Sequence, residues 1–599
     1  MAEQPPSGDD PIALLEAINE ETGRKQEISI FPGYEIRIGR DDNCDLSIPE
    51  VHISKQHCRI YSIIYERVAN PQFPPLVYCE DLESSNGTYV NGVRIGTIGG
   101  ECRGYLLSDG DIIHIRPNWK LSFSQLNETV ISRERTELND LQHFHDRFDV
   151  TDRLLGTGQF GSVYLAKEVA TSRQMACKIV KLDLAGGQKP AKTKPYSNTG
   201  DEWQTQALRA KDGREIVMRE VKILSRLKHP HIINLKKAFR SSNTLYLFTE
   251  LASGGDLFSY LDSHGGVLQD WQSRVISFQI VLAIEYLHSN NIAHRDIKPE
   301  NILISQTGFG GRVMLTDFGF ANSVNEKTGR LMSAVGTEGY VAPEVKAAER
   351  STEGYKMSAD LWSLGVLTAC LLTGQSLIPR EDLSQLTQVD IADRFLGISD
   401  SYTREDWSDL SSTAQLYLRR LLVLDPEKRM TAKEALQHPW FRTPSSEASL
   451  LQERYHRIIR FWNKSANEGD VIENLPSYTD TTQAEDRSQP KFRRKFHDAS
   501  SSPYFGLDRH LHKRTSPKRQ AILEMLHESG SHFISSQHAH KARVPNAEGL
   551  NMPAANIVTV DASDLFGTSS QAEPDRDEVD LIPTGPYHSL DRTSHNNMN

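Results

Sequence analysis

The stretch that decides the fold runs from Ile292 to Ile304 and reads I-A-H-R-D-I-K-P-E-N-I-L-I. Short apolar runs flank a polar centre that carries a carboxylate at Asp296, an ammonium at Lys298 and a side-chain amide at Asn301. Phosphoryl transfer needs a carboxylate to orient a hydroxyl and take its proton, a cation near the moving group, and an oxygen ligand for Mg²⁺. The three residues meet those needs in order. A lone His-Arg-Asp would read as a surface charge cluster, so the weight of the reading falls on the motifs around it.

Upstream, L-G-T-G-Q-F-G-S-V spans Leu155 to Val163, and its glycines Gly156, Gly158 and Gly161 let backbone amides fold over phosphates with no Cβ in the way. M-A-C-K ends on Lys178, and V-M-R-E-V-K-I-L-S-R-L sets Val217, Val221, Leu224 and Leu227 at a helical period beside Glu220. L-Y-L-F-T-E-L-A-S-G-G-D-L-F follows. Downstream come L-T-D-F-G with Asp317, A-P-E at Ala342 to Glu344, D-L-W-S-L-G-V from Asp360, and R-M-T-A-K-E-A-L-Q-H-P-W-F from Arg429. In this order and spacing the motifs resemble a protein kinase of the calcium/calmodulin type.

That resemblance implies an α+β bilobal kinase fold over residues 147–442, a serine/threonine kinase activity, and ATP and Mg²⁺ as cofactors. It makes Asp296 the catalytic carboxylate, Lys298 the cation beside it, and Asn301 and Asp317 the metal ligands. ATP is then bound by Leu155, Gly156, Thr157, Gly158, Gln159, Phe160, Gly161, Ser162 and Val163, by Lys178 paired with Glu220, and by the hinge at Glu250 and Ala252. Cys177 stands before the lysine where isoleucine is usual, a matter of packing. Ser323, Thr328, Ser333 and Thr337 lie in the activation segment. Ser333 and Thr337 are the expected switch residues, with Arg295 placed to pair with a phosphate there. Arg429 is expected to pair with Glu344. Asp256 and Glu300 are expected near the peptide groove, favouring an arginine three residues before the phosphorylated residue. The rival class is a non-catalytic phosphopeptide-binding scaffold with a kinase-like lobe, and the full set of catalytic positions weighs against it.

From Ile28 to Phe123 short alternating runs such as Y-E-I-R-I, C-R-I-Y-S-I-I-Y and D-I-I-H-I alternate with Gly, Asn and Asp turns, the pattern of an all-β sandwich. G-R at Gly39, S-K-Q-H at Ser54 and S-S-N-G-T-Y-V-N-G at Ser84 together resemble a forkhead-associated (FHA) domain, taken as residues 28–124. A threonine phosphate calls for a guanidinium and for hydroxyl and amide donors. Arg40, Ser54, Lys55, Ser85 and Asn86 supply them. The resemblance gives Arg40 and Ser54 the phosphate and Asn86 the peptide backbone, and has His57, Gly87 and Thr88 hold the loops in shape. An FHA domain followed by such a kinase resembles the checkpoint kinase two family, including the meiotic recombination checkpoint kinase. Residues 1–27 lack the Ser-Gln and Thr-Gln cluster of the damage-response branch, which tilts the reading to the meiotic one.

Residues 1–27 are read as a mobile leader containing one short helix-like stretch, I-A-L-L-E-A-I, and residues 125–146 as a linker. The stretch from Leu182 to Arg214 reads as a mobile insertion. No apolar run approaches the roughly 20 residues that span a bilayer, and six scattered cysteines without a C-x-x-C pair argue against zinc and disulfides. The first residues have no secretory pattern. No membrane association is expected. A net charge of −11 argues against nucleic-acid binding by the whole molecule.

Residues 443–599 are expected to be a helix packed on the large lobe, with apolar positions at Leu451, Tyr455, Ile458, Ile459 and Trp462, followed by a largely disordered tail. Between Lys491 and Arg519 nine basic residues face two acids, which reads as a nuclear import signal. Thr482, Ser488, Ser536 and Ser570 each precede a glutamine and could replace the missing leader cluster. The expected partners are phosphothreonine-bearing adaptors, protein substrates and, during activation, a second copy of the chain.

Overall fold

The computed structural model describes residues 10–64, 75–126, 135–158, 161–182, 213–307, 311–323, 331, 337, 339–348, 354–374, 410–462 and 471–476. The amino-terminal unit is a sandwich of strands β1 (Ala13–Asn19), β2 (Lys25–Ile30), β3 (Glu35–Gly39), β4 (Leu46–Ser47), β5 (Cys58–Ile63), β6 (Leu76–Asp81), β7 (Thr88–Val90), β8 (Val93–Gly96), β9 (Tyr105–Leu106), β10 (Ile112–Ile115) and β11 (Trp119–Gln125). One sheet runs β2-β1-β11-β10-β7-β8 and the other β4-β3-β5-β6-β9. Period-2 burial, seen in β11 as Trp119, Leu121 and Phe123, points one face of each sheet into a shared core. The β7–β8 turn carries Asn91 and Gly92 at φ 49° and 82°, the twist that suits a two-residue hairpin.

The expected leader is corrected here. Its helix-like stretch is β1, paired antiparallel with both β2 and β11, and the sandwich begins ahead of residue 28. Ala13, Leu15 and Ala17 alternate into the core, so sheet pairing overrides the local helical preference of Ala, Leu and Glu.

The kinase unit begins before residue 147, which corrects the linker. Helix α1 (Arg135–Leu141) and Phe144 belong to its core: Asp140 accepts a hydrogen bond from Tyr246 at 3.1 Å, and the Phe144 and Phe239 rings stack at 4.3 Å. Five antiparallel strands follow in the small lobe: β12 (Phe148–Gly158), β13 (Gly161–Glu168), β14 (Arg173–Lys181), β15 (Leu235–Arg240) and β16 (Thr244–Glu250). Helix α2 (Gly213–Leu224) turns Val217, Val221 and Leu224 inward as its period requires. The insertion lies outside the described residues apart from its ends.

In the large lobe α3 (Leu257–Ser263) and α4 (Asp270–Ser289) precede the catalytic loop. Beyond it stand α5 (Pro343–Ala348), α6 (Ala359–Thr373), α7 (Ser412–Leu421), α8 (Ala432–Leu436) and α9 (Pro439–Arg442). Every residue of α6 is buried, which makes it the pillar of the lobe.

Helix α10 (Ser445–Ile459) docks on this lobe as expected, with Leu451 buried, Tyr455 edge-on to Phe278, and Glu447 paired with Arg274. Beyond it the expectation of disorder fails at one place. Residues Ile472–Asn474 form a strand that joins the small-lobe sheet parallel to β15, and Leu475 enters the aromatic cluster. Glu473 there takes two hydrogen bonds from Arg147, at 2.9 and 3.0 Å, and an ion pair from Lys237 at 3.2 Å. The tail thus straps both lobes. The basic segment and the four Ser/Thr-Gln sites lie outside the described residues. All six cysteines are free thiols.

Candidate active site and phosphate-reading loops

The catalytic loop is held by two short antiparallel strand pairs, β17 (Ile292–Ala293) with β20 (Asn322–Ser323) and β18 (Ile302–Ile304) with β19 (Val313–Leu315). Between them Asp296 is 3% exposed. The Asn301 amide donates to the Asp296 carbonyl at 2.8 Å and to its carboxylate at 2.6 Å. Lys298 Nζ lies 3.3 Å from the same carboxylate and donates at 2.7 Å to the Thr337 hydroxyl, which itself donates to Asp296 Oδ1 at 2.6 Å. Burial works to lower the Lys298 ammonium, but Asp296 and Glu300 outweigh it and hold the group above its ordinary value. The three residues expected from the sequence, Asp296, Lys298 and Asn301, come together, with one addition. Thr337 stands inside the catalytic network, where a phosphate would put like charge against Asp296. Ser333 lies outside the described residues.

Sequence reading gave no role to Asp360. It is 1% exposed at the start of α6 and accepts the backbone amides of His294 at 3.0 Å and Arg295 at 2.8 Å, together with His288 Nε2 at 2.9 Å. Burial alone would raise this carboxyl, yet those partners leave it below its ordinary value, so it stays charged and fixes the loop. Arg295, at φ 71°, donates to the Phe320 carbonyl at 2.5 Å and to Tyr355 at 3.3 Å. Arg429 grips Glu344 with two bonds, at 2.6 and 3.0 Å, as expected.

On the nucleotide side Lys178 and Glu220 pair at 3.3 Å, with Glu220 3% exposed. Burial opposes the Lys178 charge, but Glu220 and Asp317 together raise it above its usual value. Gly161 admits no side chain, because a Cβ there would sit 2.0 Å from the Ile179 carbonyl. Gln159 and Phe160 lie outside the described residues, whereas Leu155, Gly156, Thr157, Ser162 and Val163 lie on the paired strands β12 and β13. Ala252 is buried at the hinge, and the Glu250 carboxylate is held by Arg312. Asp317 adopts a left-handed backbone at φ 59°, and its Oδ1 is buried with no hydrogen-bond partner. An orphaned buried carboxylate oxygen, on the residue after Thr316 whose amide bonds the Asn301 carbonyl at 2.9 Å, suits a hard divalent cation.

Asp256 caps α3, accepting from the Ser259 amide at 2.6 Å. Burial pushes its carboxyl up to about 6, and the Glu300 charge adds to the rise. Glu300 Oε2 is itself buried without a partner. Two such carboxylates can receive a guanidinium.

In the sandwich Ser54 and Ser85 face each other, the Ser85 amide donating to Ser54 Oγ at 3.0 Å. The Asn86 side chain donates to the His52 carbonyl at 2.7 Å. Arg40 and Lys55 are exposed, and Arg40 has no ion-pair partner among the described residues. Gly39 must be glycine for this approach, since a Cβ would meet the Lys55 carbonyl at 2.2 Å. His57 is fully buried, accepts from the Ser54 amide at 3.3 Å and lies 3.4 Å from the Gly87 carbonyl. Burial holds its imidazole below its ordinary value, so it acts as a neutral brace. Asp81, unmarked by any motif, completes the brace by accepting the hydroxyls of Ser84 at 2.5 Å and Thr88 at 2.6 Å.

The protein kinase domain family matches residues 150–441 and the FHA domain family residues 36–116. The meiosis-specific serine/threonine-protein kinase mek1 of Schizosaccharomyces pombe is 35% identical over 438 residues, 71% of this chain and 85% of that protein. The chain belongs to the FHA-domain serine/threonine protein kinases. The meiosis-specific serine/threonine-protein kinase MEK1 of Saccharomyces cerevisiae is 30% identical over 76% of this FHA kinase and 88% of its own length. The ovarian-specific kinase Lok of Drosophila melanogaster is 31% identical over 73% and 84%. A crystal structure of Rad53 1-466 in complex with AMP-PNP covers 71% of the chain and 99% of its own at 26% identity, with a TM-score of 0.36. The FHA kinase uses ATP, acts on protein substrates and binds phosphopeptides.

Proposed function

We propose that Asp296 takes the proton of a serine or threonine hydroxyl while Lys298 steadies the transferring phosphoryl group, and that the FHA loops deliver the kinase to phosphothreonine-marked partners. The observation that carries this reading is the closed set of bonds among Asp296, Lys298, Asn301 and Thr337 beside an intact Lys178–Glu220 pair. Such a set holds the carboxylate with one orientation before substrate arrives. Asn301 and Asp317 would hold Mg²⁺, which when bound neutralises charge on the phosphates. Arg40, Ser54, Lys55, Ser85 and Asn86 would receive the phosphothreonine, with Asp256 and Glu300 selecting an arginine in the substrate.

The meiotic names of two relatives favour a setting in meiotic checkpoint signalling. The basic segment between Lys491 and Arg519 supports a nuclear location. Docking of one copy on a partner's phosphothreonine would raise the local kinase concentration and promote phosphorylation of Ser333 between paired molecules. Phosphate transfer from labelled ATP to a peptide substrate tests the catalytic assignment. Asp296→Ala is expected to lower kcat by about 10²- to 10⁴-fold, the usual worth of a positioned acid–base group. Equal incorporation by variant and parent would overturn it.

A further inference from the structure

The FHA domain does more in this molecule than hang beside the kinase. The outer face of its second sheet carries Tyr61, Leu76, Tyr78 and Leu106, and this face forms one apolar cluster with Leu165 of β13, against which Leu155 and Leu251 also pack. Leu155 opens the glycine-rich stretch, and Leu251 sits between the two hinge residues expected to meet adenine. Tyr61, 5% exposed and stacked on Tyr78 at 5.5 Å, donates its hydroxyl to the Ser253 carbonyl at 3.0 Å. The Gln174 side chain bonds β9 as a neighbouring strand would, accepting from the Leu106 amide at 2.8 Å and donating to its carbonyl at 2.9 Å. Arg59, held by Glu80 and Glu35 at 2.7 and 2.9 Å, reaches the Thr307 carbonyl at 2.7 Å.

The fit is close enough to exclude a methyl group. A Cβ at Gly104 would lie 2.4 Å from the Tyr61 hydroxyl and 2.5 Å from Ser253 Oγ. The hydrogen bonds of the Tyr61 hydroxyl and the Gln174 amide, made beside a cluster of buried apolar side chains from both domains, mark a contact made for one partner surface. Arg40, Ser54, Lys55, Ser85 and Asn86 take no part in these bonds, so a phosphopeptide and the hinge can be held at once.

We propose that the face built from Tyr61, Leu76, Tyr78 and Leu106 is a docking surface for the kinase hinge of the same chain, and that Tyr61 is a positioning residue for the adenine-binding backbone. The phosphate-reading domain thereby sets the affinity for ATP without touching the nucleotide. This rests on the reading of Leu155 and Ala252 as nucleotide contacts. Tyr61 acts through the Ser253 carbonyl: losing that hydrogen bond frees the segment next to Ala252, and a looser hinge binds the purine less well.

The test uses the full chain and its Tyr61→Phe and Gln174→Ala variants, with three readouts: the Kd for ATP by titration, KM and kcat for transfer to a peptide, and affinity for a phosphothreonine peptide. Losing one buried hydrogen bond is expected to weaken ATP binding by roughly 2- to 10-fold, in Kd and KM alike. The kcat at saturating ATP and the phosphothreonine affinity should stay within about twofold of the parent, a scatter of a few tenths of a kcal/mol. A parent-like Kd for ATP in both variants would overturn the proposal while leaving the kinase reading intact. If instead the parent itself failed to bind ATP, the underlying site reading would fall. An ATP affinity that declined on dilution of the parent would show the face docking on a second copy, and would overturn the same-chain claim.

Discussion

Two regions of this chain face phosphate, and their environments are opposite. Arg40, Lys55, Ser85 and Asn86 are exposed on loops, braced from behind by buried His57 and Asp81. Asp296 and Asn301 are 3% and 6% exposed, and their bonds to Lys298 and Thr337 close the site on itself. In the open site the strongest donor, Arg40, has no ion-pair partner among the described residues, and water competes for each contact. The closed site has made its bonds in advance, and removing a member leaves buried charge without a partner. Single losses should therefore cost more in the cleft than on the loops.

Outside the catalytic loop itself the largest effect should follow from Thr337→Ala, which removes one hydrogen bond each from Lys298 and Asp296. A kcat lower by roughly 10- to 150-fold is expected, the worth of a hydrogen bond to a charged group, with Thr337→Ser near the parent. Steady-state kinetics on a peptide substrate read this. If Thr337→Ser were as poor as Thr337→Ala, the hydroxyl would not be the group that matters.

Arg40→Ala should weaken phosphothreonine-peptide binding by about tenfold to a hundredfold and leave kcat on a short peptide unchanged. Calorimetric titration decides it, and an unaltered affinity would move the phosphate away from Arg40.

A third prediction concerns pH. Asp256 titrates at about 6, so it gains a proton as pH falls through that value and loses its attraction for a guanidinium. Preference for an arginine-containing peptide over its alanine analogue should shrink between pH 7 and pH 5, by about fivefold if the charge-assisted bond contributes about 1 kcal/mol. A flat preference across that range would remove Asp256 from substrate choice.

The smallest effect belongs to the strap. Arg147 first, and then Lys237, hold Glu473 down to about 2, so its contribution to stability is present above the ordinary carboxylate value and is lost as pH falls toward 2. The pair is more than a third exposed, and Glu473→Gln should cost less than about 1 kcal/mol at neutral pH, seen as a small drop in Tm. A drop comparable to the loss of a core residue would mean that the strap holds the lobes together.

The catalytic cleft was legible because phosphoryl transfer demands particular side chains at short, fixed spacing, and Asp296, Lys298 and Asn301 fall within one loop. Thr337 was placed in the right segment, but its bonds to Asp296 and Lys298 could not be read, since only the fold brings it there. Asp81 and Asp360 brace their sites through backbone and hydroxyl donors, a task any buried carboxylate can do and no motif announces. Strand β1 escaped notice because I-A-L-L-E-A-I suits a helix until β11 is there to pair with it. The Ile472–Asn474 strand is only three residues long and is defined by a partner more than two hundred positions away. Tyr61 and Gln174 are ordinary residues in their strands, and their meaning lies in what two domains present to each other.

The most direct test of the account compares transfer of labelled phosphate to two substrates that differ only in a distant phosphothreonine. The parent should phosphorylate the marked substrate at lower concentration, Arg40→Ala should treat both alike at the parent's unmarked rate, and Asp296→Ala should phosphorylate neither. Equal use of both substrates by the parent, or undiminished transfer by Asp296→Ala, would contradict the claim that one chain reads phosphate at the first site in order to place it with the second.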